Sequence, residues 1–308
     1  MSVTCHANEG EDFVGDQVFG LSAALVTVLD ETGSIDSGAM VRHARWCLDQ
    51  GCSSVTLFGT TGEGSSVSRA ERSQLLRAFA QGGIAPAQTI GCVMANAADD
   101  ATEQAAELLD SGARGVLLAP PSYFKNVSED GVFSWFAQVL SALGDKARGI
   151  ILYNIPSVTA VELSVPLIGR IRAAFPKAIA GVKDSSGNWP YTERLLAEHK
   201  DIAILIGDER NLAAGVRLGA QGAISGMANL LPDRLLPMIR EGRDDKGVHD
   251  LVETILTFPV TPAVKALVAH RTGDEAFARV RAPLVPTPAE GAARLGATFD
   301  ALSASKAA

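Results

Sequence analysis

The stretch Leu109-Asp110-Ser111-Gly112-Ala113-Arg114-Gly115-Val116-Leu117-Leu118-Ala119-Pro120 reads as the end of a helix running straight into a buried strand. Gly112 supplies the left-handed residue that stops a helix. Val116–Ala119 is a short, unbroken apolar run closed by proline, as a strand covered on both faces requires. The same phrase occurs twice more. Leu48-Asp49-Gln50-Gly51 precedes Val55–Phe58, and Val216-Arg217-Leu218-Gly219 precedes Ala223–Ile224. One strand–helix unit recurs along the chain.

Working outward, Phe19–Val28, Gln88–Met94, Ile150–Tyr153, Ile179–Val182 and Ile204–Ile206 complete a set of eight apolar strands. Helical patterns separate them. The first is capped by Asp36 and carries Met40, Val41, Ala44, Cys47 and Leu48 on one face. Ser68-Arg69-Ala70-Glu71 opens another as a capping box. Further helices are predicted over 100–111, 131–143, 164–174, 189–198, 209–218 and 231–241. Eight such units in some 230 residues predict a closed (β/α)8 barrel. A doubly wound sheet is disfavoured, because no Gly-x-Gly-x-x-Gly turn follows the first strand. The expected layout is an N-terminal extension at 1–18, the barrel at 19–245, and helices at 246–308 packed on the barrel.

Composition narrows the class. The 308 residues are 47% hydrophobic and 20% charged, with a formal net charge of -8, which argues against a nucleic-acid partner. No apolar run is long enough to cross a membrane. The acidic stretch Met1 to Gln17 lacks the pattern of a secretory signal. The four cysteines, Cys5, Cys47, Cys52 and Cys92, form no Cys-x-x-Cys pair, which suits a reducing cytoplasm. The five histidines are scattered without metal-ligand spacing, so no metal site is expected.

A barrel of this kind carries its chemistry at the C-terminal ends of its strands. Of the eight lysines, seven read as solvated surface charges. Lys183 differs, because it ends the apolar run Ile179-Ala180-Gly181-Val182. A lysine held partly out of water favours its neutral amine, and a neutral amine can capture a carbonyl as a Schiff base. The alternative is an ion pair with Asp184 or another nearby carboxylate. Two of the three tyrosines, Tyr123 and Tyr153, also follow strands. Each is either a proton carrier or an aromatic plug. Gly59-Thr60-Thr61-Gly62-Glu63 after the second strand offers backbone N–H groups and two hydroxyls, suited to a carboxylate or phosphate. Asp208-Glu209-Arg210 after the seventh strand reads as a helix cap with surface charges, or as a contact for the far end of a substrate.

Taken together, Gly59-Thr60-Thr61-Gly62-Glu63, Pro121-Ser122-Tyr123, Tyr153-Asn154-Ile155-Pro156 and Gly181-Val182-Lys183-Asp184 follow strands two, four, five and six in that order. Ala24-Leu25-Val26-Thr27 and Ile224-Ser225-Gly226 add to the pattern. The constellation resembles the dihydrodipicolinate synthase / N-acetylneuraminate lyase family of pyruvate-dependent class I aldolases. The resemblance implies that Lys183 captures pyruvate, that Tyr153 is the acid/base, and that Thr60 relays protons to Tyr123. Tyr123 comes from a neighbouring subunit in some members, so a homodimer or homotetramer is implied. Thr61 and the turn at Gly59 would hold the pyruvate carboxylate, and Ile224 would line the pocket beneath the imine. No cofactor is implied.

One position departs from the family pattern. Lysine-pathway synthases carry an arginine two residues after the proline of the Tyr-Asn-x-Pro motif, where this chain has Val158. Valine cannot hold the carboxylate of an aldehyde substrate. Arg210 is the nearest candidate to replace it. Arg69, Arg72 and Ser122 stand where feedback-regulated members carry histidines and a tyrosine. The reading favoured by the sequence is a lyase or synthase that joins pyruvate to an aldehyde, or cleaves a 2-keto-3-deoxy acid into the two. The 4-hydroxy-tetrahydrodipicolinate synthase of lysine biosynthesis, and a dehydratase or hydratase using the same imine, are the alternatives. A non-catalytic keto-acid-binding barrel is a more remote one.

Overall fold

The chain is seen in a computed structural model that describes residues 19–304. The extension expected at 1–18, with Cys5, lies outside the described residues. Eight parallel strands close into one barrel in sequence order. They are β1 (Gly20–Ala24), β2 (Ser54–Leu57), β3 (Thr89–Val93), β4 (Gly115–Leu118), β5 (Ile150–Asn154), β6 (Ile179–Asp184), β7 (Ala203–Ile206) and β8 (Gly222–Ser225). The surrounding helices are α1 (Ser37–Asp49), α2 (Arg69–Gln81), α3 (Ala98–Asp110), α4 (Glu129–Leu143), α5 (Pro156–Thr159), α6 (Val165–Ala174), α7 (Trp189–Glu198), α8 (Leu212–Arg217) and α9 (Pro232–Glu241). Three more follow: α10 (Lys246–Ile255), α11 (Val260–Thr272) and α12 (Ala289–Ala304).

Local signals account for many of the boundaries. The Asp36 side chain accepts the Ala39 amide at 2.8 Å and starts α1. Ser68 and Glu71 complete the predicted capping box of α2. The matching phrases around Gly51, Gly112 and Gly219 end α1, α3 and α8. The sequence reading drew the first strand too long. Leu25 to Val28 leave the sheet, and their apolar side chains are buried instead in the packing between barrel and helices.

Two cores result. Ile90, Cys92, Leu117, Ile151, Leu205 and Ile224 belong to a compact cluster topped by Tyr153. A larger one joins strands to helices, with Val55, Val116, Leu152, Val182 and Ile204 facing Met40, Leu75, Phe136 and Leu195. Alternate residues along each short strand therefore serve different cores, as the pleat demands.

The barrel closes between β1 and β8, where Gly20 pairs with Gly222. Gly222 adopts φ +144, and a Cβ there would lie 1.9 Å from the Gly20 carbonyl oxygen. Gly273, at φ +69, faces open space. Gly273→Ala should cost about 1–2 kcal/mol from backbone strain alone, while Gly222→Ala should cost more because it also forces the seam apart. Chemical denaturation of both variants checks the order, and equal losses would mean that the seam tolerates the methyl group.

Candidate active site

Tyr153 and Lys183 are paired neighbours on β5 and β6, and so are Asn154 and Asp184 one residue later. The pleat sends the first pair to one face of the sheet and the second pair to the other. Asp184 is held there by Asn154 Nδ2 at 3.1 Å, the Ser186 amide at 3.0 Å and the Thr192 hydroxyl at 2.6 Å. Asn154 Oδ1 in turn accepts the Leu163 amide at 3.0 Å. The ion-pair alternative for Lys183 therefore fails on its nearest candidate, since Asp184 faces the helices.

Lys183 is 6% exposed, and its Nζ lies 3.3 Å from the Tyr153 hydroxyl. The Thr60 hydroxyl stands 3.4 Å from the same oxygen. All three line a cavity of about 360 Å³ at the strand ends, together with Thr61, Ile224 and Val158. Gly59 stands behind the turn, where its carbonyl accepts the amides of Gly62 at 3.1 Å and Gly64 at 3.0 Å. Tyr123 is not brought in by its own chain. Asn96 Oδ1 holds its amide at 2.9 Å, its ring meets Phe124 edge-on, and the side chain is 74% exposed. Val158 lies on the short helix α5 and is 54% exposed at the cavity rim.

The threonine turn is built under constraint. Phe58 and Glu63, at its two ends, both have left-handed backbone, with φ 61 and 53. Buried groups hold them there. Arg72 places its guanidinium 4.5 Å over the Phe58 ring and donates to the carbonyls of Gly64 at 2.7 Å, Cys92 at 2.9 Å and Val67 at 3.3 Å. Arg69, by contrast, pairs with Glu103 at the surface. Glu63 forms a buried ion pair with Lys265 of α11 and also accepts the Arg281 amide at 2.7 Å. Thr261 donates its hydroxyl to the Thr60 carbonyl at 3.1 Å.

Lys265 corrects the sequence reading, which counted it among the solvated lysines. It is fully buried. Burial lowers its pKa, and the facing carboxylate of Glu63 opposes that shift. Its setting in Val264-Lys265-Ala266-Leu267-Val268, a charge inside an apolar helical run, was the available signal. Helices α10 and α11 also line the cavity through Val252, Ile255, Val260, Thr261 and Val264, which reading the strand ends alone missed.

Asp208-Glu209-Arg210 divides into two roles. Asp208 caps the turn and clamps Arg210 through Nε at 3.0 Å and Nη2 at 2.6 Å. Arg210 Nη1 donates to Glu253 at 2.6 Å. Glu209 lines the cavity, accepts the Ser225 hydroxyl at 2.5 Å, and is pushed upward in pKa by burial. Burial also raises the Cys92 thiol to about 12 and the Cys52 thiol to about 12. Cys47 is buried too, and burial raises its thiol well above the ordinary value, so the described cysteines are packing groups rather than nucleophiles. Among the described residues, no group of three or more His, Cys, Asp or Glu side chains is placed to hold a metal ion.

Fold and site together define a barrel enzyme of the lysine-dependent lyase class. The chain belongs to the Dihydrodipicolinate synthetase family, whose profile matches residues 17–302. A protein of Chloroflexus aurantiacus, named as an uncharacterized DapA-like lyase, is 30% identical over 92% of this chain and 96% of its own length. A crystal structure of dihydrodipicolinate synthase from Agrobacterium tumefaciens superposes with a TM-score of 0.91 at 58% identity, covering 92% of this chain and 99% of the other. The 2-keto-3-deoxygluconate aldolase of Sulfolobus solfataricus, a variant at 20% identity, shares the fold with a TM-score of 0.81 over 93% and 97% of the two chains. Among the described residues, no helix is long and apolar enough to cross a membrane.

Removing one member of the buried Glu63–Lys265 pair should leave an uncompensated charge beneath the turn. Lys265→Met should lower stability by about 3–5 kcal/mol. Adding Glu63→Gln to it should recover much of that loss. A denaturant series on the two variants checks this, and an unchanged wild-type midpoint in Lys265→Met would contradict it.

Proposed function

We propose that this enzyme joins pyruvate to a neutral aldehyde, or runs the reverse cleavage of a 2-keto-3-deoxy acid, the 4-hydroxy-2-keto acid that such a condensation makes. The observation that carries the proposal is the buried Lys183 amine 3.3 Å from the Tyr153 hydroxyl, inside a cavity that opens at the strand ends. Membership of the Dihydrodipicolinate synthetase family supports the same chemistry.

Lys183 attacks the ketone carbon of pyruvate and, with loss of water, forms an imine. Loss of a proton from the pyruvate methyl group gives an enamine. That carbon attacks the aldehyde carbon, a carbon–carbon bond forms, and the aldehyde oxygen takes a proton. Water then adds to the imine, freeing Lys183 and the 4-hydroxy-2-keto acid. Tyr153 is the proton carrier, being the hydroxyl nearest the amine, and Thr60 passes protons to and from it. Thr61 and the backbone N–H groups of its turn receive the pyruvate carboxylate, with Gly59 setting the turn and Ile224 walling the imine. Tyr123, exposed on its own subunit, serves the relay from a second copy in a homodimer or homotetramer. The scheme calls for neither metal nor organic cofactor, since one amine and a set of hydroxyls carry every step. A cytoplasmic location accords with the free, buried cysteines Cys47, Cys52 and Cys92.

The second reading, dihydrodipicolinate synthase, is favoured by the 58% identity to the Agrobacterium tumefaciens protein that bears that name. That reaction must bind an aldehyde bearing a carboxylate. Val158 offers no cation, and Arg210, the substitute suggested by sequence, is already held by two carboxylates. The neutral aldehyde is therefore preferred.

Incubation with pyruvate and borohydride should add a reduced pyruvyl group at Lys183 and leave Lys183→Ala unmodified. Peptide mass spectrometry checks it, and an adduct that persists in Lys183→Ala would rule out this nucleophile. Tyr153→Phe keeps the ring and removes the proton carrier, so turnover should fall roughly 10²–10⁴-fold. Pyruvate capture should suffer less than the carbon–carbon step. Steady-state rates near wild type would mean that another group moves the proton.

A further inference from the structure

The cavity is chemically divided. Around Lys183 it is walled by hydroxyls, those of Thr60, Thr61 and Tyr153. Its apolar lining includes Val158 of α5, Val252, Ile255 and the adjoining Leu256, and Val260 and Val264 of α11, with Asp208, Glu209 and Arg210 on the lining beside them. Three of these side chains are left open to solvent: Val158 at 54%, Leu256 at 47% and Val260 at 45% exposure. Single exposed apolar residues are ordinary on a protein surface, but a group of them gathered at one cavity mouth marks a surface meant to be covered.

Charge points the same way. The cations lining the cavity are Lys183 and Arg210. Arg210 spends Nε and Nη2 on Asp208 and Nη1 on Glu253, so its charge is already matched by two carboxylates before any substrate arrives. Polar groups of a substrate pressed against the valine, isoleucine and leucine side chains would lose water without gaining a partner, which costs free energy.

We infer that the aldehyde accepted here has an uncharged, apolar body, aliphatic or aromatic, which packs against the wall supplied by α5, α10 and α11 while its carbonyl carbon meets the pyruvate enamine. This deepens the imine reading of the same site and rests on it. The product is a 4-hydroxy-2-keto acid whose distal end is hydrocarbon. A class of reaction that supplies or consumes such a compound would handle apolar aldehydes rather than sugar fragments. Ser157, Ser185 and Ser186 also line the cavity. They are what a polyol aldehyde would use, and this makes it the rival to test against.

The experiment is a comparison of aldehydes with pyruvate and the full chain, following the condensation product by mass spectrometry. 3-Methylbutanal and benzaldehyde represent the inferred class, and glyceraldehyde the polyol. Succinic semialdehyde and butanal have the same chain length and differ by one carboxylate. The expected result is a kcat/KM for 3-methylbutanal at least about tenfold above that for glyceraldehyde, since a few methylene groups in an apolar pocket discriminate by that factor or more. Butanal should likewise exceed succinic semialdehyde. Leu256→Ser, a change at a half-exposed rim position, should lower the ratio of 3-methylbutanal to glyceraldehyde by about tenfold. Pyruvate trapping by borohydride is run in parallel. Trapping at Lys183 with glyceraldehyde or succinic semialdehyde preferred overturns the apolar substrate alone. Absence of trapping overturns the imine reading and this inference with it.

Discussion

The register between β5 and β6 is the constraint on which the site depends. Tyr153 lies beside Lys183, and Asn154 beside Asp184, past a one-residue register shift between Ile150 and Ile151 that sets this alignment. A shift of one residue would carry the lysine out among the helices and bring the aspartate in. The Asn154–Asp184–Thr192 hydrogen bonds on the helix side work against that slip, because losing them would strand buried polar groups. The reactive amine is thus positioned by a polar network on the opposite face of its own strand.

The threonine turn is held by a second device, and this one comes from far along the chain. Its ends have left-handed backbone at Phe58 and Glu63, conformations that side chains other than glycine adopt only when their surroundings enforce them. Arg72 supports one end through three carbonyls and a ring face. Lys265, Thr261 and the Arg281 amide support the other. Residues beyond the eighth strand are therefore part of the catalytic architecture. They fix the turn from beneath and, through Val252, Ile255, Val260 and Val264, shape the outer cavity.

The cavity lining comes from two parts of the fold. The hydroxyls of Thr60, Thr61 and Tyr153 and the Lys183 amine, to which the proposed reaction assigns pyruvate, all stand at or just after strand ends. In the proposed reaction the choice of aldehyde falls to the cavity-facing side chains of α5, α10 and α11, of which Val158 and Val260 are exposed while Val252, Ile255 and Val264 also belong to the core. Val158 and the doubly paired Arg210 both belong to that outer region.

Much of this was legible in the linear sequence. Apolar runs of strand length, repeated helix stops and capping residues determine an eight-unit barrel, because those signals act over a few neighbouring residues. The same local reading places Lys183, Tyr153, Thr60 and Thr61 at strand ends, and the structure gathers all four around one cavity. Tyr123 sits after a strand by the same logic, yet its own chain leaves the ring in solvent. Local pattern could not show that Lys265 is a buried partner of Glu63, 202 residues away, nor that Arg210 is occupied by Glu253. Nor could it show that α10 and α11 wall the cavity. Those facts depend on which distant surfaces meet when the barrel closes, and burial and charge pairing are properties of that meeting rather than of any segment alone.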